Sequence, residues 1–435
     1  MRNLRSIYKG KMQIYNFISF FGIFCMMGVA YFMSENRKAV NFRTVGVGVG
    51  LQILLGIFVF FTDTGKVFFD FLNKVASKLL SFSDVGAQFI FGPLALPPGT
   101  EGSFGFIIAF QVLPLIIFFS SLMAVLYHLG IMQKVISFFA WIFTKFMKIS
   151  GAESLCASAN LFVGFESVLT IRPFVEKLTR SEMMVVMTTG MATIASSVFG
   201  AYVKMMQPHF PNIAGHLITA SLMSIPAAVV IAKILVPETK TPVTSGHIPP
   251  EEKKDSANVF DAAARGASEG AMFALNIGAT LIAFVALVAM ANYFVGFIGN
   301  GITSVSGLTL DWTLQGLLGY IVWPFSWLMG IPAADCSVIS RLIGEKTIIN
   351  EFVAYTSFSN LLSSGISLSP RTVVIASYAL CGFANFGSAA IWIGGIGTIV
   401  PTKRRELASL AIKCILGGTL ATFMTASVAG FFYSG

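Results

Sequence analysis

Two short stretches of this 435-residue chain share one pattern of small and polar residues, GMATIASS at 190–197 and GFANFGSA at 382–389. Aligned, they set Thr193 opposite Asn385 and Ser196 opposite Ser388, and each lies downstream of an apolar segment that holds a glutamate, Glu166 or Glu351. Amide and hydroxyl groups beside freed backbone carbonyls suit coordination of a polar solute or a cation, and a carboxylate in apolar surroundings is a strong hydrogen-bond acceptor. Such a carboxylate is a functional candidate because its burial is costly without a partner. The same small residues also serve close helix packing. Arg341 and Lys346 precede Glu351 as possible ion-pair partners. Spacing alone leaves both pairs of readings open.

The elements that position these residues are membrane helices. The chain is 55% hydrophobic and 11% charged, with a mean hydropathy of +0.78, far from the roughly 25% charge of soluble domains. Apolar runs long enough for a hydrocarbon core of about 30 Å are expected at 14–32, 45–61, 104–126, 183–202, 218–235, 271–294, 314–329, 371–400 and 407–432. The runs do not alternate, so they read as helices and not as barrel strands. Residues 154–171, with Asn160 and Glu166, and residues 338–362, with Asn350 and Glu351, are too polar for lipid-facing spans. They are expected as re-entrant hairpins with tips at Gly164 and at Asn350-Glu351.

A net charge of +9 would suggest nucleic acid in a soluble protein. Here the basic residues gather in short loops, at 36–38 with Arg43 and at 403–405, which the positive-inside rule assigns to the cytoplasm. That places the C-terminus outside. The crossing of 14–32 would put the N-terminus outside too, whereas Arg2, Arg5, Lys9 and Lys11 pull it inward. This first apolar run is read as a retained span, since no small-x-small cleavage site precedes Ser34. Residues 237–258 form a polar linker, after which 259–269 is expected as an interfacial helix, as is 66–80; either pattern also suits a helix packed on the aqueous side. Five scattered cysteines and four histidines at 128, 209, 216 and 247 form no metal-ligand spacing.

Longer motifs then resemble the concentrative nucleoside transporter family. They are Asn160-x-Phe-Val-Gly with its glutamate, Ile-Arg-Pro-Phe-Val-x-Lys-Leu-Thr-x-Ser-Glu at 171–182, Asn-Glu-Phe-Val-Ala-Tyr at 350–355, and Cys-Gly-Phe-Ala-Asn-Phe at 381–386. Further matches are Ser-x-Asn-Arg-Lys-Ala ending at Ala39, Leu-Val-Pro-Glu-Thr at 235–239, and the Pro-x-Lys-Arg-Arg loop followed by Gly-Gly-Thr-Leu at 417–420. The resemblance runs over nearly the whole chain. It implies an all-α polytopic membrane protein of about eight transmembrane helices, two re-entrant helical hairpins, interfacial helices, and inverted structural repeats with broken helices. It further implies a homotrimeric secondary transporter of nucleosides in the bacterial inner membrane, working as an elevator and needing neither cofactor nor nucleic acid.

Carried over by motif, the resemblance implies that Glu351, Asn385 and Ser388 hold ribose, while Glu166, Val198 and Phe383 line the nucleobase side, with Phe165 either stacking on the base or packing the tip. It places sodium at Asn160, Val163, Thr193 and Ile194, through side-chain oxygens of the first and third and carbonyls of the other two. Sodium is preferred as coupling ion; proton coupling through Glu166 would require that its carboxyl be buried. One departure is plain. The family writes Gly-Gln-Thr-Glu-Ala-Pro at the first tip, and this chain has Gly164-Phe165-Glu166-Ser167-Val168-Leu169, so base selectivity is expected to be loose or altered, with a modified nucleoside such as pseudouridine as the alternative. The segment 331–335 also departs, and Asp335 is given a packing role at most. The expected organisation is a scaffold at 1–65, an interfacial helix and span at 66–150, a first transport repeat at 151–236, the linker, scaffold spans at 259–333 and a second repeat at 334–435. A membrane-embedded transferase lacks a catalytic cluster in this sequence, and a passive channel would not need broken helices.

Overall fold

The computed structural model describes residues 2–248, 256–307 and 309–433, with side chains from Ile14 onward. Part of the polar linker, 249–255, and the side chains of Arg2, Arg5, Lys9 and Lys11 lie outside the described residues. Among those described, the ordered elements are helices: α1 Arg2–Phe32, α2 Phe42–Phe61, α3 Asp63–Phe91, α4 Ile108–Gln111, α5 Leu113–His128, α6 Ile131–Met147, α7 Gly151–Ala159, a 3-10 segment Phe165–Lys177, α8 Arg180–Ala192, α9 Ser196–Met206 and α10 Ile213–Leu235. After the linker come α11 Val259–Ser306, α12 Leu314–Leu328, α13 Ala333–Ile348, α14 Glu351–Ser363, α15 Pro370–Leu380, α16 Phe386–Ile399 and α17 Arg404–Phe432. Seven of these stretches are long and apolar enough to cross a membrane.

Several expected elements differ in extent. The run at 371–400 is two helices, α15 and α16, parted at 381–385. No break separates the interfacial stretch at 259–269 from the span after it, because Ala, Gly and Ser carry α11 through both as one helix of 48 residues. At 1.5 Å per residue it is about 70 Å long, more than twice the bilayer core.

The order of helices repeats. The series α5, α6, α7, 3-10 segment, α8, α9, α10 is matched by α11, α12, α13, α14, α15, α16, α17. Within each series, two arms fold back on each other around a break, 160–164 in the first and 349–350 in the second, and a broken helix follows. Equivalent positions tie each hairpin's base to the start of its broken helix. In the first series, Ser150 and Thr179 begin α7 and α8 with capping boxes completed by Glu153 and Glu182. The Ser150 hydroxyl donates to Glu182 at 2.6 Å. The buried Lys233 ammonium of α10 pairs with Glu153, which is fully buried, and lies 3.5 Å from Glu238.

Asp335, third residue of α13 as Glu153 is third in α7, plays the same part in the second series. It accepts from the Ser369 N–H at 3.2 Å and from the Thr372 hydroxyl at the start of α15. The cation there is Arg371, donating to Gly330 O, Gly430 O and Asn16.

These two anchors lie at opposite ends of the bundle. Asn16 of α1 also donates to Tyr433 O, whereas Glu35, just past the other end of α1, pairs with Arg180 and with Lys413 near the start of α17. The repeats are therefore inverted. The basic loops at 36–38 and 403–405 share the end held by Glu35, and the C-terminus shares the end at which α1 begins its apolar run.

Replacing Lys233 by Met would leave Glu153 buried and unpaired, a loss of about 3–5 kcal/mol. Unfolding of purified protein in detergent is the check, and an unchanged midpoint would remove Lys233 as its partner. The hydrogen bond from Arg180, with Lys413 alongside, holds the Glu35 carboxyl down to about 2 from 4.5. Because the folded value is lowered, Glu35 stabilises fully above about pH 4.5, and this contribution fades as pH falls toward 2. The difference in unfolding temperature between wild type and Glu35→Gln should be constant above that range and close below it.

Candidate functional site

Glu351 opens α14, directly after the break at Asn350, whose side chain caps the helix by accepting from the Val353 N–H at 2.9 Å. A carboxylate in the first turn of a helix is favoured by the positive end of its dipole. The Glu351 side chain is buried, and each oxygen takes one donor: Oε1 from the Tyr202 hydroxyl at 2.9 Å and Oε2 from Asn385 Nδ2 at 2.9 Å. A carboxylate offers about four acceptor sites, so beside these side-chain donors and its own backbone N–H the group keeps capacity for a bound hydroxyl. Neither suspected ion pair forms. Arg341 lies 3.4 Å from Asp311, and the buried Lys346 donates instead to Ala379 O at 2.8 Å and Thr422 at 3.5 Å.

Asn385 serves two partners. Its oxygen caps α16 by accepting from the Ser388 N–H at 2.8 Å while its nitrogen holds Glu351. The N-termini of α14 and α16 thus meet at one carboxylate. Ser388 is half-buried beside them, and Phe383, also half-buried, precedes Asn385, whose N–H donates to Phe383 O at 2.8 Å. Tyr202 on α9 is fixed by stacking on Tyr355, with ring centroids 4.7 Å apart; Tyr355 in turn donates to Ser377 O at 2.7 Å. Val198 is buried in the first turn of α9.

The second group forms where the first hairpin's break meets the break between α8 and α9. Asn160 ends α7, buried; its oxygen accepts from the Ser167 hydroxyl at 2.8 Å and its nitrogen donates to Thr189 at 3.1 Å. One turn further on, Thr193 donates to Thr189 O at 2.9 Å. The Phe162 carbonyl accepts from both the N–H and the hydroxyl of Ser196, which joins the two breaks. The carbonyls of Val163 and Ile194 accept no hydrogen bond among the described residues. Hard oxygens of this kind, two side-chain and two backbone, suit a small alkali cation.

At the hairpin tip, Phe165 packs edge-on against Trp392, centroids 5.6 Å apart at 80°. Two glycines make room: a Cβ on Gly395 would stand 2.1 Å from the Phe165 ring, and one on Gly190 would stand 1.9 Å from Trp392. Phe165 therefore packs the tip. Glu166 is exposed in the described chain. Sequence reasoning did not find Tyr202, Ser167 or Thr189, which complete both groups. The only signal for Ser167 was its hydroxyl in place of the alanine of the related motif.

Comparison with known proteins matches residues 216–430 to the family described as "Na+ dependent nucleoside transporter C-terminus", residues 21–94 to its N-terminus counterpart and residues 109–209 to "Nucleoside recognition". "Solute carrier family 28 member 3" of Mus musculus is 38% identical over 98% of this chain and 60% of its own length. The chain thus spans about three-fifths of that mammalian relative. "Uncharacterized transporter YutK" of Bacillus subtilis is 40% identical over 94% of this chain and 98% of its own. Among solved structures, CNTnw in an inward-facing substrate-bound state is 39% identical, with a TM-score of 0.86 over 96% of this chain and 98% of that one.

Gly190→Val would drive a side chain into Trp392, which cannot retreat without displacing Phe165. Overpacking of this kind costs about 1–3 kcal/mol, and unfolding in detergent should record it. If the midpoint does not move, the contact between Gly190 and Trp392 is not tight.

Proposed function

The chain belongs to the family of Na+-dependent nucleoside transporters, and on that premise we propose that it imports nucleosides across the bacterial inner membrane by sodium symport. It is a multi-pass membrane protein of a transporter family and not an enzyme. The observation that carries the substrate reading is the Glu351 carboxylate, buried with no cation in ion-pair distance among the described residues and held by Tyr202 and Asn385 with acceptor capacity to spare. Vicinal ribose hydroxyls donate to such a pair, and exclusion of water strengthens the bonds. Ser388 supplies a further hydroxyl.

On the base side stand Val198, Phe383 and Glu166, with Phe165 occupied in packing. The amide and hydroxyl that would read base edges are missing from this tip, which supports loose or altered base selectivity, including toward a modified nucleoside such as pseudouridine. Sodium would be held by Asn160, Thr193 and the carbonyls of Val163 and Ile194; Ser167 and Thr189 set the orientation of the Asn160 amide. The exposure of Glu166 speaks for sodium over a proton. An elevator motion and a homotrimer complete the proposal by family resemblance.

Uptake of radiolabelled uridine into proteoliposomes, with and without an inward sodium gradient, tests it. Wild type should accumulate uridine only with sodium, and Glu351→Gln should lose uptake. Tyr202→Phe removes one charge-assisted hydrogen bond and should raise KM roughly tenfold or more. Uptake that ignores replacement of sodium by choline and stops with a protonophore would overturn sodium coupling. Strong preference for one ordinary base in competition would overturn loose base reading.

A further inference from the structure

Helices α6 and α12 occupy equivalent places in the two inverted repeats, each leading into a hairpin, and so belong to opposite ends of the bundle. They differ in charge. α12 carries no charged residue, whereas α6 bears Lys134 and Lys145 and is followed at once by Lys148. The basic helix lies at the same end as the loops at 36–38 and 403–405, since α7, which follows it, is anchored there: Gly151 N–H donates to Thr244 O at 3.0 Å, and Glu153 pairs with Lys233.

Between the C-terminal half of α6 and the loop at 244–248 lies a cleft of ≈ 540 Å³, lined by Trp141, Thr144, Lys145, Lys148, Ser245 and Gly246 among others. Its polar groups are donors in want of an acceptor. Neither lysine has a carboxylate within ion-pair distance among the described residues. The Thr144 hydroxyl is buried without a hydrogen-bond partner. The Ser245 hydroxyl and the Gly246 N–H make no hydrogen bond within the described chain. The backbone helps to shape the cleft: Lys148 ends α6 in the left-handed region at φ 53°, and Gly246 turns at φ 80° with open space where a Cβ would be.

We propose that this cleft binds the phosphodiester headgroup of an anionic phospholipid at the basic face of the membrane. Two ammonium groups, the Ser245 hydroxyl and a backbone N–H, with no competing carboxylate among the described residues, form an anion site. The lipid source follows from what flanks it. Phe138, Trp141 and Phe146 are exposed apolar side chains on the same helix, and Lys145 lies 4.4 Å above the Trp141 ring. An aromatic and lysine border of this kind marks the headgroup level, and the leaflet on the basic side is the one whose charge attracts lysine. The headgroup would sit at the joint where α6 turns into the first hairpin, two residues before the Ser150 cap.

The test is lipid retention by the full chain, purified in detergent and observed by native mass spectrometry. Phosphatidylglycerol should be retained in preference to phosphatidylcholine. Lys145→Gln with Lys148→Gln should lower that retention roughly tenfold or more, with an unchanged unfolding temperature in lipid-free detergent. Lys134→Gln, on the same helix and outside the cleft, should leave retention as it was. Equal retention of the two lipids, or full retention by the double variant, overturns the proposal. So does displacement of the lipid by an equal concentration of soluble glycerol phosphate, which would make the site a reader of free phosphate.

Discussion

A helix that stops inside a bilayer leaves backbone groups with no water to satisfy them, and that constraint organises this protein. Three interruptions are closed by side chains placed at the break. Asn385 caps α16, Asn350 caps α14, and Ser196 joins the start of α9 to the Phe162 carbonyl of the first hairpin. What the side chains do not close, the carbonyls of Val163 and Ile194 and part of the acceptor capacity of Glu351, is what the proposed function assigns to ligands.

Both repeats meet another demand, that each hairpin keep its base fixed. The same geometry is reached with different residues. Glu153 and Asp335 stand at the same turn of α7 and α13, yet Glu153 pairs with a lysine of α10, whereas Asp335 accepts from Ser369 and Thr372 at the start of α15. Position was kept and chemistry reassigned, as expected when the electrostatic need belongs to the place in the fold. The first anchor gathers Glu153, Glu182 and Glu238 around one lysine, and two helix N-termini help to hold the excess negative charge.

Much of this was legible in the sequence for a physical reason. Polar residues inside apolar runs are rare enough to be informative, so Glu351, Asn385, Asn160 and Thr193 were found without coordinates. Tyr202 escaped because its immediate neighbours, Val198 to Val203, are apolar or small, and there an aromatic residue looks like core. Thr189 and Ser167 escaped because single hydroxyls are ordinary in membrane helices. The capping boxes Ser150-x-x-Glu153 and Thr179-x-x-Glu182 were written plainly and passed over, although a hydroxyl residue followed at three by Glu is a recognised start of a helix. The continuity of α11 was hidden by its charged first turns, which read as a separate amphipathic element. Contacts across the inverted repeats, such as Phe165 on Trp392 and Gly395, depend on a superposition that no linear pattern displays.

The Asn385 side chain has one oxygen, given to the start of α16, and one nitrogen, given to Glu351. A ligand bound at Glu351 as proposed, drawing the carboxylate toward itself, would therefore also pull on the peg that caps α16. Occupancy and secondary structure become a single variable at this point, and the amide protons of the first turn of α16 would register it. On that reading, the first turn of α16 would report whether the carrier is loaded.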